Sequence, residues 1–556
     1  GQPLVRSMAT RRALSRGVQI FAGGCLGLHQ YDTWIGDRVF NRNFRAVWAA
    51  ILTTYDYKIN FDATEPSNPS KIHGRVARRW FDVCADNGGL YIKLGQSCQQ
   101  LNHVLPPEFT SLFSQMFDSA PPVSNESIIR VFQEDFQGKS PQEVFAVFDP
   151  NPIASASIAQ VHKAVTKDGK KVAVKIQKPY IERQIPWDLG CYRLLVFCLE
   201  KIFDLPMYWT VHSVCDSIRQ EADFRVEAKN AERASEGLVD NPDAYIPHIN
   251  HELTTKRVLT MEWVDGVRMT DAEKIKEMGF SVENVMQKVV ETFSEQIFLT
   301  GFIHADPHPG NVLIRPNPSN SSRPQVVLLD HGLYVESSEK FRKEYCNLWR
   351  AMVLMDRDSV KDICTSWGVG DSDFFASMQL LKPYRPQKRA VHVANTTIDD
   401  ILHMQVKMKD RVKNLLHDTK LVPRELILLG RNMNIIRSCN KGLGSPVNRV
   451  SIMAYYANRG TYAVNPLRKS DNEGTIVKGH MTVDRWEVAY SEVVFRARLF
   501  LISCFYYSTK VWQRLNAFMG RESEGFEELI EKRISQTIEA KFGLRLDLDA
   551  DGKAFG

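Results

Sequence analysis

The residues best suited to act together in chemistry lie in His304-Ala305-Asp306-Pro307-His308-Pro309-Gly310-Asn311 and in three shorter pieces around it. Asp306 and Asn311 stand five apart, and the two prolines between them deny the segment a helix, leaving an acid and an amide on an irregular loop. An aspartate held there can orient an attacking hydroxyl, and a carboxamide oxygen suits a hard cation such as Mg2+. A second acid, Asp330, closes the apolar run Val326-Val327-Leu328-Leu329 and precedes His331-Gly332, which reads as a buried strand ending in an oxygen ligand. Upstream, Lys175 ends Val172-Ala173-Val174-Lys175 on the second strand of a hairpin expected over 157–165 and 171–176, turned by Asp168-Gly169. A flexible point charge of this kind can follow phosphate oxygens. Glu221, Asp223 and Glu227 lie on an expected helix, and one of these acids is expected to pair with Lys175 and fix its direction. His304 and His308 are not read as a zinc pair, because an i, i+4 pair needs the helix that Pro307 and Pro309 forbid.

These pieces occur in the order of a protein-kinase fold: a V-A-I-K-like strand, a helix acid, an H-R-D-x-x-x-x-N-like loop, and a D-F-G-like triplet with His331 in place of Phe. The expected fold class is α+β, a two-lobed protein-kinase-like fold with a small antiparallel sheet in the N-lobe, a mainly helical C-lobe, and extra helices at both ends. The expected cofactors are ATP (or ADP) and Mg2+. Lys175, one of the three helix acids and Asp306 take the catalytic roles, and Asn311 and Asp330 are the metal ligands. No G-x-G-x-x-G precedes Lys175; Ala154, Ser155, Ala156 and Ser157 stand there instead, with side chains that disfavour positive φ, so the phosphates are expected to be held differently. Adenine is expected on the hinge backbone near Glu262 and Val264, after a strand over 258–261. His308 occupies the position where protein kinases carry a lysine, which speaks against a protein substrate.

The same residues resemble the UbiB family, also called aarF-domain or ABC1 atypical kinases, over roughly residues 75–440. Lys93-Leu94-Gly95-Gln96 looks like the family's K-x-G-Q motif, and Glu221-Ala222-Asp223 looks like its E-x-D motif. The resemblance implies that the first segment folds over the active site with Lys93 and Gln96 reaching towards the nucleotide. It also implies that Glu221 and Asp223 face that segment, which leaves Glu227 as the partner of Lys175. On the residues alone, Lys93 and Gln96 are three apart and share one face of a helix. The Ala-Ser run at 154–157 matches the family's Ala-rich replacement of the glycine loop, and Asp330-His331-Gly332-Leu333-Tyr334 is most similar to its mitochondrial branch. That branch is linked to coenzyme Q and membrane lipid balance. The implied function is an ATPase or phosphotransferase acting on lipid or quinone chemistry at the mitochondrial inner membrane. Two other readings stand beside it: a nucleotide-gated scaffold that carries a lipid, and a soluble small-molecule kinase with a D-x-H-P-x-N loop, against which the K-x-G-Q extension speaks.

The elements that must position these residues need a long chain. With 556 residues, 44% apolar and 24% charged, the composition is that of a folded, multi-module protein rather than a disordered or polytopic membrane one. A net charge of +6 favours anionic lipid surfaces weakly and falls short of a nucleic-acid binder. Ten cysteines without a C-x-x-C pair argue against structural zinc and a disulfide framework. The expected organisation is a targeting or membrane-proximal helical segment with linker (1–70), a helical K-x-G-Q extension (71–150), the N-lobe (151–265), the C-lobe (266–440) and a helical C-terminal extension (441–556). Arg11-Arg12-Ala13-Leu14-Ser15-Arg16, with no acid before Asp32, reads as mitochondrial targeting. The apolar runs 17–28, 46–55 and 499–507 are shorter than a bilayer span and read as core or interfacial helices. The aromatic and basic stretch from Trp486 to Arg514 is read as a helix packed on the C-lobe or a partner, or as an interfacial membrane helix. Helical spacing is read over 76–101, 281–300, 337–355, 399–417, 423–438, 484–516 and 526–540.

Overall fold

The computed structural model describes residues 31–32, 37–62, 68–99, 106–117, 122–204, 208–369, 375–376, 423–463, 467, 485–519 and 525–528. The targeting segment, the apolar run 17–28 and the helix expected over 399–417 lie outside these residues, as does most of 526–540.

The amino-terminal helices are α1 (Val39–Tyr55), α2 (Asn68–Asn87), α3 (Gly89–Gln99) and α4 (Pro107–Phe113). The single helix expected over 76–101 is two, because Gly88 and Gly89 take φ of 66° and 50°, which ends one helix and starts the next in a new direction. A further helix, α5 (Asn125–Asp135), starts at Ser124, whose side chain accepts from the Ser127 amide.

The N-lobe sheet holds β1 (Val147–Phe148), β2 (Ala154–Ser155), β3 (Ala159–Val165), β4 (Lys171–Gln177) and β6 (Val258–Glu262), all antiparallel. Side chains alternate along β4: Val172, Val174 and Ile176 are buried against Ile128, Val131 and Phe132 of α5, which turns Lys175 to the opposite face. Thus α5 and β1 belong to the N-lobe, and the boundary expected at 150 falls too late. The amphipathic face of α5 has to cover that sheet. Behind the sheet run α6 (Ile181–Phe203), α7 (Thr210–Glu221) and α8 (Phe224–Gly237).

The C-lobe is built on α9 (Val282–Glu295), capped by Ser281 and prolonged by one wide turn to Gly301 at φ 67°. It carries a second sheet ordered β5 (Ala244–Tyr245), β10 (Asn320–Leu328), β9 (Val312–Asn317), β7 (Val267–Arg268), in which only the β5–β10 pair is parallel. A third sheet pairs β8 (Phe302–His304) with β11 (Tyr334–Glu336). Helices α10 (Glu339–Leu354), α11 (Arg357–Ser366), α12 (Arg424–Gly442) and α13 (Arg449–Tyr462) close the lobe, and α14 (Arg485–Phe518) follows. The C-lobe core does not stop at 440: Val450, Met453, Ala454 and Ala457 of α13 and Phe495 of α14 share one buried cluster with Phe293 of α9 and Trp349 of α10. The architecture is the two-lobed α+β protein-kinase-like fold that the motif order predicts.

Candidate active site

Lys175 reaches off β4 and donates to both oxygens of Glu227 on α8, at 2.9 and 3.0 Å. Of the three helix acids it is Glu227, nearly fully buried, that takes the lysine. Asp330 stands beyond the pair, with Oδ2 3.6 Å from Lys175 Nζ. Burial works against the Lys175 ammonium, but Asp330, Glu227 and Glu221 outweigh it and hold the amine protonated well above its usual range. Burial likewise pushes the Asp330 carboxyl up. Lys175, the Gly332 amide (donating to Oδ1 at 2.9 Å) and Lys93 more than reverse this and keep it ionised far into acid.

The second acid is set by the loop itself. The Asp306 amide donates to Nδ1 of buried His304 at 3.0 Å, and the His304 amide donates to Gln296 Oε1 at 3.1 Å. The loop then tightens: the His308 amide donates to the Asp306 carbonyl and the Asn311 amide to the His308 carbonyl, each at 2.8 Å. Asn311 is stitched to the strand that ends at Asp330, because its carbonyl accepts from the Leu329 amide at 2.9 Å. Asp306, Asn311 and Asp330 therefore arise from adjoining backbone. Burial raises the Asp306 carboxyl, yet Arg431, Lys93 and the two histidines hold it below the usual carboxylate range.

His331 is buried behind Asp330. Its Nε2 faces the Leu328 carbonyl at 3.1 Å, so that nitrogen carries the proton, and Nδ1 accepts from the Tyr334 hydroxyl at 3.0 Å. The His331 carbonyl accepts from Asn230 Nδ2 of α8 at 3.0 Å, which ties the triplet to the helix that carries Glu227.

Over these groups lies α3. Gly95 lets it approach α4: a Cβ there would sit 2.6 Å from Met116 Sδ and 3.2 Å from the Phe113 ring. Lys93 points down from the helix and pairs with Glu221 Oε1 at 2.8 Å, and Asp306 and Asp330 also act on its charge. Gln96 is on the same helix, but its side chain lies outside the described residues. Asp223 does not join the cluster. It caps α8 by accepting from the Arg225 amide, and it binds the Arg225 guanidinium at 2.7 Å. An aspartate one residue before a helix is drawn to the free amides of the first turn, so only the Glu of the E-x-D pattern faces Lys93.

Ala154 and Ser155 pair with Val161 and Gln160 in a plain antiparallel turn, and no residue of 153–160 takes a positive φ. The segment thus lacks the backbone geometry of a glycine loop. Ser155 Oγ is buried there without a hydrogen-bond partner among the described residues. At the expected hinge the Glu262 side chain turns away to Tyr245 and the His248 amide, and Val264 is buried.

Sequence reading missed Arg431 and Asn432. Arg431 Nη2 donates to Asp306 Oδ2 at 3.0 Å, and Asn432 Nδ2 donates to the His304 carbonyl, so α12 grips the catalytic-type loop from the far end of the C-lobe. The sequence marks α12 as helical but carries no local motif that links these residues to the loop.

Asp330 and Asn311 lie on adjoining backbone, Leu329 donating to the Asn311 carbonyl, and a carboxylate and a carboxamide are the oxygen donors that suit a hard cation. Among the described residues no group of three His, Cys, Asp or Glu side chains forms a closed cage. This donor set fits Mg2+ carried in by phosphate oxygens rather than a resident all-protein metal site.

A family model described as the ABC1 atypical kinase-like domain matches residues 115–364. An ABC1 family protein of Schizosaccharomyces pombe is 37% identical over 81% of this chain and 84% of its own. The AarF domain-containing protein kinase 1 of Mus musculus is 31% identical over 84% of this chain and 91% of its own. A solved Mycobacterium tuberculosis protein in complex with erythromycin, 20% identical, covers 71% of this chain and 95% of its own with a TM-score of 0.41. With motifs, fold and relatives in agreement, the chain belongs to the ABC1, or aarF-domain, family of atypical kinase-like proteins.

Proposed function

We propose that the chain is a Mg-dependent ATPase or phosphotransferase that acts on lipid or quinone chemistry at a membrane surface, with the mitochondrial inner membrane as its site of action. One observation carries the reading: Lys175, Glu227, Asp330 and Asp306 meet in one cleft, with Lys93 and Glu221 drawn over it. Lys175, steered by Glu227, holds phosphate oxygens. Asp330 and Asn311 hold the Mg2+, which neutralises the phosphates and polarises the bond to be broken. Asp306, kept ionised, orients the attacking hydroxyl or water rather than acting as a strong base. The lowered K-x-G-Q helix and the histidine at 308 leave little place for a protein substrate. The quinone or lipid class and the mitochondrial address rest on family resemblance.

The Asp306–Arg431 ion pair favours a second reading, a nucleotide-gated scaffold, because it holds the orienting carboxylate away from chemistry. Mg-ATP hydrolysis by the wild type and Asp330→Asn, with and without cardiolipin liposomes and a quinone analogue, separates the two. The enzyme reading expects turnover that falls on the order of a hundredfold in Asp330→Asn. Thermal stabilisation by Mg-ATP with no turnover under any of these conditions points to the scaffold, and no nucleotide binding at all ends both.

A further inference from the structure

The catalytic-type loop lacks a cation where phosphoryl transfer needs one. Protein kinases carry a lysine two residues after the loop aspartate, and His308 stands there instead. Its ring is turned back on the loop, Nδ1 accepting from the Gly310 amide at 3.1 Å. The two lysines of the cleft are already matched by carboxylates: Lys175 by Glu227, with Asp330 beside it, and Lys93 by Glu221 at 2.8 Å. A phosphoryl group in flight spreads negative charge over its oxygens, and it does so at the end of the cleft marked by Asp306, the residue that orients the attacking oxygen. That charge has to be met there.

Arg431 of α12 fills that gap in space although not in sequence. Its Nη2 lies 3.0 Å from Asp306 Oδ2, and Asn432 Nδ2 donates to the His304 carbonyl, so the turn of helix that carries the guanidinium is bound to the loop at two points. Leu429, Met433 and Ile436 of the same helix are buried, and the Tyr345 hydroxyl of α10 donates to Met433 Sδ at 3.0 Å, which holds α12 against the lobe. A guanidinium presents five donors in a planar fork. One is on Asp306, and Nε is buried with no acceptor among the described residues. A group with donors left over, placed beside the orienting acid, matches the planar oxygen faces of a phosphoryl group.

We propose that Arg431 is a catalytic residue of this cleft: it binds the oxygens of the γ-phosphoryl group as that group leaves ADP, the task of the lysine that His308 replaces. The attacking oxygen forms its bond to phosphorus as the bond to the β–γ bridging oxygen breaks. That electron pair stays on ADP, and the proton of the attacking hydroxyl or water leaves past Asp306 to solvent. One guanidinium nitrogen keeps Asp306 while others take phosphoryl oxygens, so the orienting acid and the neutralising cation are held as one unit. The inference rests on the ATPase or phosphotransferase reading above, and it places a reacting group outside the matched domain at 115–364.

Arg431→Gln, Arg431→Lys and the double variant Arg431→Gln with His308→Lys test it in the full chain, by turnover and by binding. In Arg431→Gln, kcat for Mg-ATP is expected to fall about a hundredfold or more with KM moved about threefold at most, because the contact is made in the transition state. A lysine at 308 in the glutamine background should recover about tenfold of that loss, which a merely structural role for Arg431 would not allow. The second readout needs no turnover. Aluminium fluoride, which with Mg-ADP mimics the phosphoryl group in flight, should tighten Mg-ADP binding to the wild type, and Arg431→Gln should lose that tightening while binding Mg-ADP alone as before. Equal weakening of Mg-ADP with and without aluminium fluoride assigns Arg431 to structure and overturns the proposal, as does tightening that survives the substitution. Should Arg431→Gln fail to fold, Arg431→Lys decides: weaker tightening with Mg-ADP binding unchanged is expected, and tightening equal to that of the wild type overturns the proposal. A wild type that turns over ATP but is indifferent to Arg431 sinks this inference alone, whereas a wild type with neither turnover nor tightening takes the enzyme reading down with it.

Discussion

At the scale of single residues, the histidine in the D-H-G triplet changes how Asp330 is held. A phenylalanine side chain there would be held by packing alone, whereas the His331 ring is bound through both nitrogens, to the Leu328 carbonyl and the Tyr334 hydroxyl. His331 is buried and its bond to the Leu328 carbonyl lies wholly inside, so losing that bond leaves a polar group dry. His331→Phe is expected to cost about 1–3 kcal/mol of stability. Tyr334→Phe removes one bond and should cost about 1 kcal/mol, and the two changes should couple by roughly 1 kcal/mol because they share that bond. Denaturant unfolding of the four proteins of the double-mutant cycle measures it, and strict additivity would show that the imidazole contact contributes nothing.

At the scale of elements, α3 is positioned by what Gly95 lacks. Phe113 is buried and cannot swing aside, so Gly95→Ala must push α3 outward, an overpacking cost of about 1–3 kcal/mol. The shift takes Lys93 from Glu221. Faster amide exchange over 89–99, with the C-lobe unchanged, is the expected signature, and unaltered exchange would mean that Met116 alone absorbs the methyl group. What was legible in the sequence follows the same division. The strand before Lys175, the loop from His304 to Asn311 and the strand into Asp330 were readable because each is a local pattern whose period or prolines dictate its form. The break at Gly88-Gly89 was written in the residues but lost to a continuous apolar spacing. The membership of α5 in the N-lobe was not readable, since an amphipathic helix states that it has a buried face and not which sheet that face covers. Asp223 went astray because a family pattern and a helix cap ask for the same residue type, and the free amides of α8 claimed it.

At the scale of the whole molecule, the site is closed from both ends of the chain. The kinase-like domain match covers 115–364, yet Lys93 precedes it and Arg431 follows it, and both act on Asp306. No local motif can reveal Arg431, because its meaning arises only when α12 folds back across the C-lobe. The helices that bring it there are fastened by buried polar groups: Arg342 donates to the Gly460 carbonyl of α13 at 3.0 Å, and Arg449 pairs with Glu527 at 3.3 Å. The C-terminal region is thus part of the catalytic-type cleft rather than an appendage to it, and Arg431→Gln tests this. The Asp306–Arg431 pair is partly exposed, with side chains 23% and 18% accessible, so its loss should cost about 1–2 kcal/mol at neutral pH, less than a fully buried pair. The pH dependence has a definite sign. Asp306 titrates lower in the folded protein than its ordinary 3.8, so its contribution is fully present above that value and is lost as pH falls through the lower, folded one. The stability gap between wild type and Arg431→Gln should therefore be constant from about pH 5 to 8 and should narrow only in stronger acid. A gap that changes across the neutral range would assign the effect of Arg431 to some group other than Asp306.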